Sequence, residues 1–271
     1  MDLTTVQEIA PANRDAIEGW RPGDAWLAGG TWLFSEPQPH LRRLFDLTAF
    51  GWPSLTASRD GLEIAATCTL AELARWRPPA RWPASALIPA CCHALLGSFK
   101  VWNAATVGGN LCLALPAGPM TSLAAALDGV CTIWGPEHTI TEHSVLDFIT
   151  GPGENALSAP GSVLRSLHLP DAALRCRTAF RQHSLSPLGR SAAVVIARRS
   201  ATALTITITA SLPRPAQLRF DRPPSAEELR DALDEAQLHY YDDVHGDPEW
   251  REHLTRMYSE EVRRELEEYK A

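Results

Sequence analysis

Two short glycine-containing segments carry residue types that could bind a charged ligand. Residues 27–31 read Leu-Ala-Gly-Gly-Thr, and residues 106–110 read Thr-Val-Gly-Gly-Asn. Paired glycines permit positive φ angles and let a bulky anion approach the backbone closely. Successive amides can then form a nest for phosphate oxygens, and the Thr and Asn side chains can add hydrogen bonds. One Gly-Gly pair is typical of an ordinary turn, but two such segments favour one diphosphate held from both sides.

Other nucleotide and hydrolase motifs are missing from the sequence. It has no G-x-x-x-x-G-K-[ST] loop and no G-x-G-x-x-G after a strand, which argues against a P-loop and a standard Rossmann site. It also has no G-x-S-x-G elbow, so hydrolase chemistry has no support. A bound diphosphate must therefore be held in another way.

The cysteines do not favour a metal centre in this chain. The sequence contains six of them, Cys68, Cys91, Cys92, Cys112, Cys131 and Cys176. No pair has the C-x-x-C spacing of a zinc ribbon, and no set of four has the spacing of an iron–sulfur cluster. We interpret them as small buried thiols in a reducing compartment.

The elements that must position the glycine segments follow a strand–helix–strand rhythm. We expect a helix over residues 5–19, strands at 25–28, 44–47 and 61–66, and helices at 69–77 and 83–96. Residues 99–109 are expected to form a loop. Further strands are expected at 130–134 and 162–169. This order indicates a small α/β unit that closes near Pro170.

The last hundred residues have a different pattern. Strands are expected at 180–182, 192–198 and 203–210, the third with a clear alternation of apolar and polar residues. A proline-rich connection leads to an acidic helix that begins at Ser225, with Glu228 at the spacing of a capping box. The final helix is expected over residues 248–269. The natural domain boundary lies near residues 171–177.

Composition bounds the class of protein. The 271 residues are 45% hydrophobic and 21% charged, with a formal net charge of −7, which suits two globular domains. Residues 225–271 hold 15 acidic and 6 basic residues, which argues against nucleic-acid binding. The N-terminus lacks the pattern of a secretory signal, and no apolar run reaches 18 residues. We therefore expect a cytoplasmic chain with no membrane insertion.

Three segments taken together resemble a known family. Residues 27–31, 44–47 and 105–112 are similar, in order and spacing, to the FAD-binding medium subunit of molybdenum hydroxylases. This is the family of carbon monoxide dehydrogenase and xanthine dehydrogenase. The likeness continues through residues 124–128 and 163–170 to the end of the chain. It covers essentially the whole sequence.

The resemblance implies a fold, a cofactor and partners. The implied α+β fold has a PCMH-type FAD-binding domain (1–171) made of two α/β subdomains, about 1–60 and 61–171. A C-terminal α+β domain (172–271) with an antiparallel sheet and helices follows. The implied partners are an iron–sulfur small subunit with [2Fe-2S] clusters and a molybdopterin-bearing large subunit, in a dimer of heterotrimers. Electrons would pass through FAD to NAD, a quinone or oxygen.

The resemblance also implies which residues contact the cofactor, with no catalytic residue and no metal ligand in this chain. They lie in and around the two glycine segments and at three further positions: Leu27, Ala28, Gly29, Gly30, Thr31, Trp32, Leu33, Phe34, Ser98, Thr106, Val107, Gly108, Gly109, Asn110, Leu164 and Gln182.

Several positions depart from the family pattern. Trp32 stands where an acidic residue is usual, and Trp102 replaces an arginine. After the second glycine segment, Leu113, Leu115 and Pro119 stand where the family usually has Asn, Ser and Asp. A lysine often found near the flavin aligns best with Gln182, and Arg190, eight residues further on, also fits. These changes leave open a structural subunit with weakened or lost flavin binding. A stand-alone oxidase with covalent flavin is a third alternative, although residues 27–34 contain neither His nor Cys.

Overall fold

A small parallel sheet opens the chain. The computed structural model describes residues 3–95, 97–187 and 189–267. The sheet has the order β1-β3-β2, with β1 at Glu8–Pro11, β2 at Asp24–Leu27 and β3 at Arg43–Asp46. Helix α1 (Arg14–Glu18) connects β1 to β2. The helix predicted over residues 5–19 is wrong for residues 8–11, which form β1. Pro11 interrupts the helical pattern, and the Asn13 side chain caps the start of α1 by accepting from the Ala16 amide at 2.8 Å.

A five-stranded antiparallel sheet follows, in the order β4-β5-β10-β6-β7. Its strands are β4 (Leu55–Ala57), β5 (Gly61–Ala65), β6 (Val130–Trp134), β7 (Ile140–Ser144) and β10 (Val163–Pro170). The strands predicted at 61–66, 130–134 and 162–169 are confirmed within a residue or so. A short hairpin of β8 (Ile149–Gly151) and β9 (Glu154–Asn155) lies between β7 and β10 in the chain.

Aromatic and hydrogen-bonding contacts hold the first sheet against the second. The indole N–H of Trp26 in β2 donates to the Ser162 carbonyl at 3.1 Å. The Arg14 guanidinium lies 3.5 Å from the centroid of the Trp134 ring in β6. These contacts fix where the carboxyl end of β2, and with it the first glycine segment, lies relative to the rest of the chain.

Helices cover the antiparallel sheet. They are α2 (Leu70–Arg75), α3 (Leu87–His93), α4 (Phe99–Ala104), α5 (Val107–Leu113), α6 (Pro119–Ala126) and α7 (Val145–Phe148). The loop predicted over 99–109 is wrong, because two short helices meet there. Such helices depend on tertiary packing more than on propensity, so their sequence signal is weak. The helix predicted over 83–96 begins as a 3₁₀ turn and continues as α3, and its last residue, Leu96, lies outside the described residues.

The C-terminal part is an antiparallel sheet with helices on one face. After α8 (Asp171–Leu174), four strands follow in chain order: β11 (Arg177–Ser184), β12 (Ser191–Arg199), β13 (Leu204–Thr209) and β14 (Ala216–Phe220). Helices α9 (Ala226–Glu235) and α10 (Pro248–Glu267) complete it. Tyr269, the predicted last helical residue, lies outside the described residues. The predicted α+β fold is confirmed.

Strand β13 contacts helices on both faces of the C-terminal sheet. Its alternating pattern is typical of a strand with one solvent face, yet all six residues are buried. Ile206 and Ile208 pack among the residues of α9 and α10, whereas Thr209 shares a hydrogen bond of 2.6 Å with Ser122 of α6. The polar face therefore contacts another helix instead of water. None of the described helices is long and apolar enough to cross a membrane.

Candidate functional site

A cavity of about 440 Å³ lies where the first glycine segment meets helices α4, α5 and α6. Its lining is mostly apolar or backbone and comes from residues far apart in the sequence: Trp26, Ala28, Gly29, Gly30, Thr31, Trp32, Leu33, Ala94, Leu95, Val101, Ala105, Thr106, Gly109, Asn110, Cys112, Leu113, Leu115, Ala117, Gly118, Pro119 and Arg190. The volume and the mixture of apolar walls with a few polar groups are typical of a small-molecule or cofactor site.

The first glycine segment presents unused backbone donors to this cavity. The amides of residues 29–33 have no acceptor within 3–95, 97–187 and 189–267. Gly30 has a φ of +68°, in the left-handed region. A Cβ on Gly29 would lie 1.7 Å from the Ala104 carbonyl oxygen at the end of α4. Both glycines are therefore required by geometry, and the turn that they allow leaves a run of amides free to bind an anion.

The second glycine segment, unlike the first, uses its backbone amides within the protein. It forms the first turn of α5, and its amides already donate within the protein: Val107 to Cys68 (2.9 Å), Gly108 to Ala66 (2.9 Å) and Gly109 to the Thr106 hydroxyl (3.0 Å). The prediction of a second amide nest is therefore wrong. Side-chain donors remain, because in the described part of the chain the Thr106 hydroxyl hydrogen has no acceptor. The amide nitrogen of Asn110 also has no described partner, and its oxygen accepts from Met120 at 2.9 Å.

The charge at the cavity is a single positive one. Arg190 is the only charged residue among the described residues that line it, and its side chain forms no ion pair or hydrogen bond within the described chain. Burial raises the pKa of the Cys112 thiol to about 12, so this lining group stays neutral. A guanidinium without a competing carboxylate attracts an anion strongly at close range.

Comparison with known proteins assigns the chain to a family. The family model described as the FAD binding domain in molybdopterin dehydrogenase matches residues 4–172, well over half of the sequence. The chain belongs to this family of FAD-binding domains. It is thus part of an oxidoreductase, and its cofactor is FAD.

Solved structures share the fold of this FAD-binding family member along its whole length. Quinoline 2-oxidoreductase from Pseudomonas putida 86 aligns with a TM-score of 0.81 at 21% identity, over 98% of each chain. Reconstituted CO dehydrogenase from Oligotropha carboxidovorans aligns with a TM-score of 0.79 at 18% identity, over 97% of each chain. No curated protein sequence matches the chain significantly.

The cavity fits the FAD of this family. Five adjacent free amides, one unpaired guanidinium and no carboxylate in the described lining suit a diphosphate. Broad apolar walls suit planar rings, which bury well against such surfaces. No group of three or more His, Cys, Asp or Glu residues in the described ranges could hold a metal ion.

The structure brings nine of the sequence-predicted FAD contacts together. These line the cavity: Ala28, Gly29, Gly30, Thr31, Trp32, Leu33, Thr106, Gly109 and Asn110. Two more contribute indirectly, because the Phe34 ring packs against Gly30, and a Cβ on Gly108 would lie 2.4 Å from the Cβ of Ala66.

The other five predicted contacts do not line the cavity. Leu27 ends β2, and Val107, the first residue of α5, is buried in the core. Ser98 lies exposed before α4, while Leu164 is buried in β10. Gln182 donates to the Ser191 hydroxyl at 2.8 Å within the C-terminal sheet.

Sequence reasoning also left lining residues out of the predicted site. Arg190 fits the position of a basic residue near the flavin, and the structure places it, not Gln182, at the cavity. Leu113, Leu115 and Pro119 were noted as departures from the family pattern, and all three line the cavity. Trp102 packs on His93 with ring centroids 4.8 Å apart, as expected of a packing residue, whereas Trp32 lies at the cavity and is 41% exposed.

Proposed function

We propose that this chain is the FAD-binding electron-transfer subunit of a heteromeric molybdenum hydroxylase. The observation that carries the proposal is the run of free amides at residues 29–33, which faces the same cavity as the unpaired Arg190. FAD accepts electrons singly and releases them as a pair, so it suits a junction between one-electron and two-electron steps.

The residues of this chain bind and orient the cofactor. The amides of 29–33 would hold the diphosphate, and the Thr106 hydroxyl and Asn110 amide would donate to further oxygens. Leu113 and Leu115 exclude water from the apolar wall. Arg190 supplies positive charge where the described lining residues offer no other charged group, which favours the more negative, reduced form of a bound flavin.

The partners in this proposal are an iron–sulfur subunit that delivers single electrons and a molybdopterin subunit that oxidises the organic substrate. One of the related structures is a Cu,Mo-CO dehydrogenase, which supports a molybdenum-containing partner. We further propose a dimer of heterotrimers, with NAD, a quinone or oxygen as the final acceptor. The chain would be organised as residues 1–171 and 172–271.

The direct test is the flavin content of the purified chain and of its intact complex. We expect an FAD absorbance spectrum and release of close to one FAD per chain on denaturation. The variant Gly109→Val should reduce FAD retention, because Gly109 lines the cavity and an added Cβ would meet only the Thr106 hydroxyl, at 3.0 Å. Its thermal denaturation should remain close to that of the wild type.

The outcome that would overturn the proposal is an intact complex without stoichiometric FAD. That result would instead favour a structural subunit that has lost its flavin. The departures from the family pattern at Trp32, Leu115, Pro119 and Gln182 favour this second candidate, and the first three of these residues line the cavity.

A further inference from the structure

Trp32 differs from every other tryptophan of the chain in the surroundings of its ring. The protein has nine tryptophans, and each of the other eight has an aromatic or histidine ring beside it, with the nearest ring centroids 4.6–6.1 Å apart. In the described part of the chain, the Trp32 indole has no such ring neighbour, and its N–H has no acceptor. The fold therefore gives this indole none of the specific contacts that hold the others.

The same indole belongs to a residue of the FAD cavity. Trp32 lines this cavity and remains 41% exposed, in contrast to Trp82, which is 1% exposed. A tryptophan buries about 150–250 Å² of mostly apolar surface when it is covered. At a cavity that opens to solvent, the exposed part of that surface is buried only when a ligand covers it. Trp32 therefore has the position and the free surface of a ligand-binding side chain.

The backbone of Trp32 is fixed beside the proposed diphosphate position. Its carbonyl accepts from the Ser35 amide at 2.9 Å and from the Ser35 hydroxyl at 2.8 Å. Its own amide belongs to the run at residues 29–33 that has no acceptor in the described ranges. FAD carries one ring system on either side of its diphosphate. A residue that holds the diphosphate through its amide therefore carries its side chain close to one of the two rings.

The exposure of the lining residues indicates which ring this is. Arg190 is exposed like Trp32, so both lie where the cavity opens to solvent. Trp26 is less exposed, its indole N–H donates to the Ser162 carbonyl at 3.1 Å, and its ring packs on Trp20. The isoalloxazine must exchange electrons with molecules outside the chain, whereas the adenine does not react. The open side, with Trp32 and Arg190, therefore suits the isoalloxazine.

We infer that the Trp32 indole stacks on the isoalloxazine of bound FAD, positions this ring and shields one of its faces from water. The inference rests on the proposed function and deepens it by naming a positioning residue for the cofactor. Offset stacking of two planar aromatic systems is favourable beyond the burial of their area. An indole also brings no negative charge to a position where the family usually has an acidic residue, so no carboxylate there opposes the charge of Arg190.

The test compares flavin fluorescence and FAD affinity of the full chain with those of Trp32→Leu. A stacked indole quenches flavin fluorescence because it lends an electron to the excited ring and takes it back. We expect Trp32→Leu to raise the fluorescence of bound FAD severalfold and to weaken FAD binding about twofold to tenfold. Unchanged fluorescence or unchanged affinity in Trp32→Leu would overturn the inference.

Two further variants separate stacking from a merely structural role. Trp32→Tyr, which stacks and donates an electron, should retain both the quenching and most of the affinity. Trp32→Phe, which stacks but is a poor electron donor, should retain most of the affinity and lose the quenching. Trp76→Leu is the control, because Trp76 does not line the cavity, and its flavin fluorescence should equal that of the wild type. Identical fluorescence of Trp32→Tyr and Trp32→Leu would contradict quenching by a stacked ring.

The same titrations distinguish failure of this inference from failure of the proposed function. If Trp32 contacts the adenine instead, Trp32→Leu weakens FAD binding but leaves flavin fluorescence unchanged, and the inference is wrong while the proposed function stands. A complex that holds no FAD contradicts the proposed function. Riboflavin, which has the isoalloxazine without diphosphate or adenine, then still reports on Trp32 in the FAD-free chain, where Trp32→Leu should weaken its binding about twofold to tenfold.

The shielding of the ring is measured separately with iodide, which quenches flavin fluorescence by collision. We expect the fluorescence of bound FAD to fall more steeply with iodide concentration in Trp32→Leu than in Trp32→Tyr. Both variants have the same charge, so the difference reports the access of iodide to the ring. Equal iodide quenching in the two variants would contradict the shielding of a face by Trp32.

Discussion

At the scale of single residues, Thr106 combines a structural role with a position at the cavity. Its hydroxyl oxygen caps α5 by accepting from the Gly109 amide, and its hydroxyl hydrogen is left for a ligand. Thr69 makes a comparable cap at the start of α2, where it accepts from the Glu72 amide at 3.2 Å. Thr69 does not line the cavity. The two residues therefore separate the capping role from cofactor binding.

The substitution Thr106→Ala should lower both stability and FAD affinity. Loss of the cap should reduce the free energy of unfolding by about 1 kcal/mol. Loss of the donor should weaken FAD binding about threefold to tenfold, measured by fluorescence titration of the FAD-free chain. Thr69→Ala is the control, with a similar loss of stability in urea denaturation and unchanged FAD affinity. Equal effects of both substitutions on FAD affinity would contradict a ligand contact by Thr106.

At the scale of elements, α9 depends on a charged cap. Ser225 and Glu228 form the predicted capping box, in which the Ser225 amide donates to the Glu228 carboxylate at 2.7 Å. Arg222 also donates to this carboxylate. The Arg222 guanidinium and the Ser225 amide lower the pKa of Glu228 from 4.5 to about 2. The ionised carboxylate is therefore favoured in the folded state.

This shift predicts a loss of stability in acid. Because the folded state lowers the pKa of Glu228, its contribution is complete above pH 4.5 and is lost as the pH falls towards 2. Thermal denaturation of Glu228→Gln should therefore show a smaller decrease in midpoint between pH 5 and pH 2 than the wild type. Glu227→Gln, in the same turn, is the control and should retain the wild-type decrease. An identical pH profile for Glu228→Gln and the wild type would refute this role.

At the scale of the whole molecule, Arg251 joins α10 to the C-terminal sheet. Its side chain is almost fully buried, at 1% exposure. The guanidinium donates to the carbonyls of Ala192 (2.6 Å), Ala210 (2.7 Å) and Gly246 (3.0 Å) and pairs with Asp243. One side chain thus satisfies acceptors from β12, from the residue after β13 and from the loop before α10.

Removing this charge should destabilise the chain strongly. Arg251→Met leaves Asp243 and three carbonyls without their donor, and we expect the free energy of unfolding to fall by about 3–5 kcal/mol. Arg256→Met is the control on the same helix. Arg256 pairs with Asp234 and Glu252 at the surface, and such pairs contribute about 1 kcal/mol or less. Urea denaturation distinguishes the two variants, and a comparable small loss for both would show that Arg251 is not a central anchor.

The sequence predicts the features of this molecule that depend on residues close together in the chain. Strands β2, β3, β5 and β6 and the cap of α9 were predicted because hydrophobic period and cap spacing are local features. Helices α4 and α5 were missed because their stability depends on packing against distant residues. The two glycine segments were identified as a pair, yet only one of them offers free amides.

The sequence by itself determined which chemistry is available: glycines that permit a tight turn, side-chain donors beside them, and no cysteine spacing for a cluster. Only the tertiary structure decided how each group is used. It paired the amides of 107–109 inside the protein and left those of 29–33 without an acceptor in the described chain. It also placed Arg190, about 160 residues away in the sequence, at the same cavity as residues 29–33. The physical reason is that a backbone donor is free or used according to its neighbours in space, and those neighbours come from the whole chain.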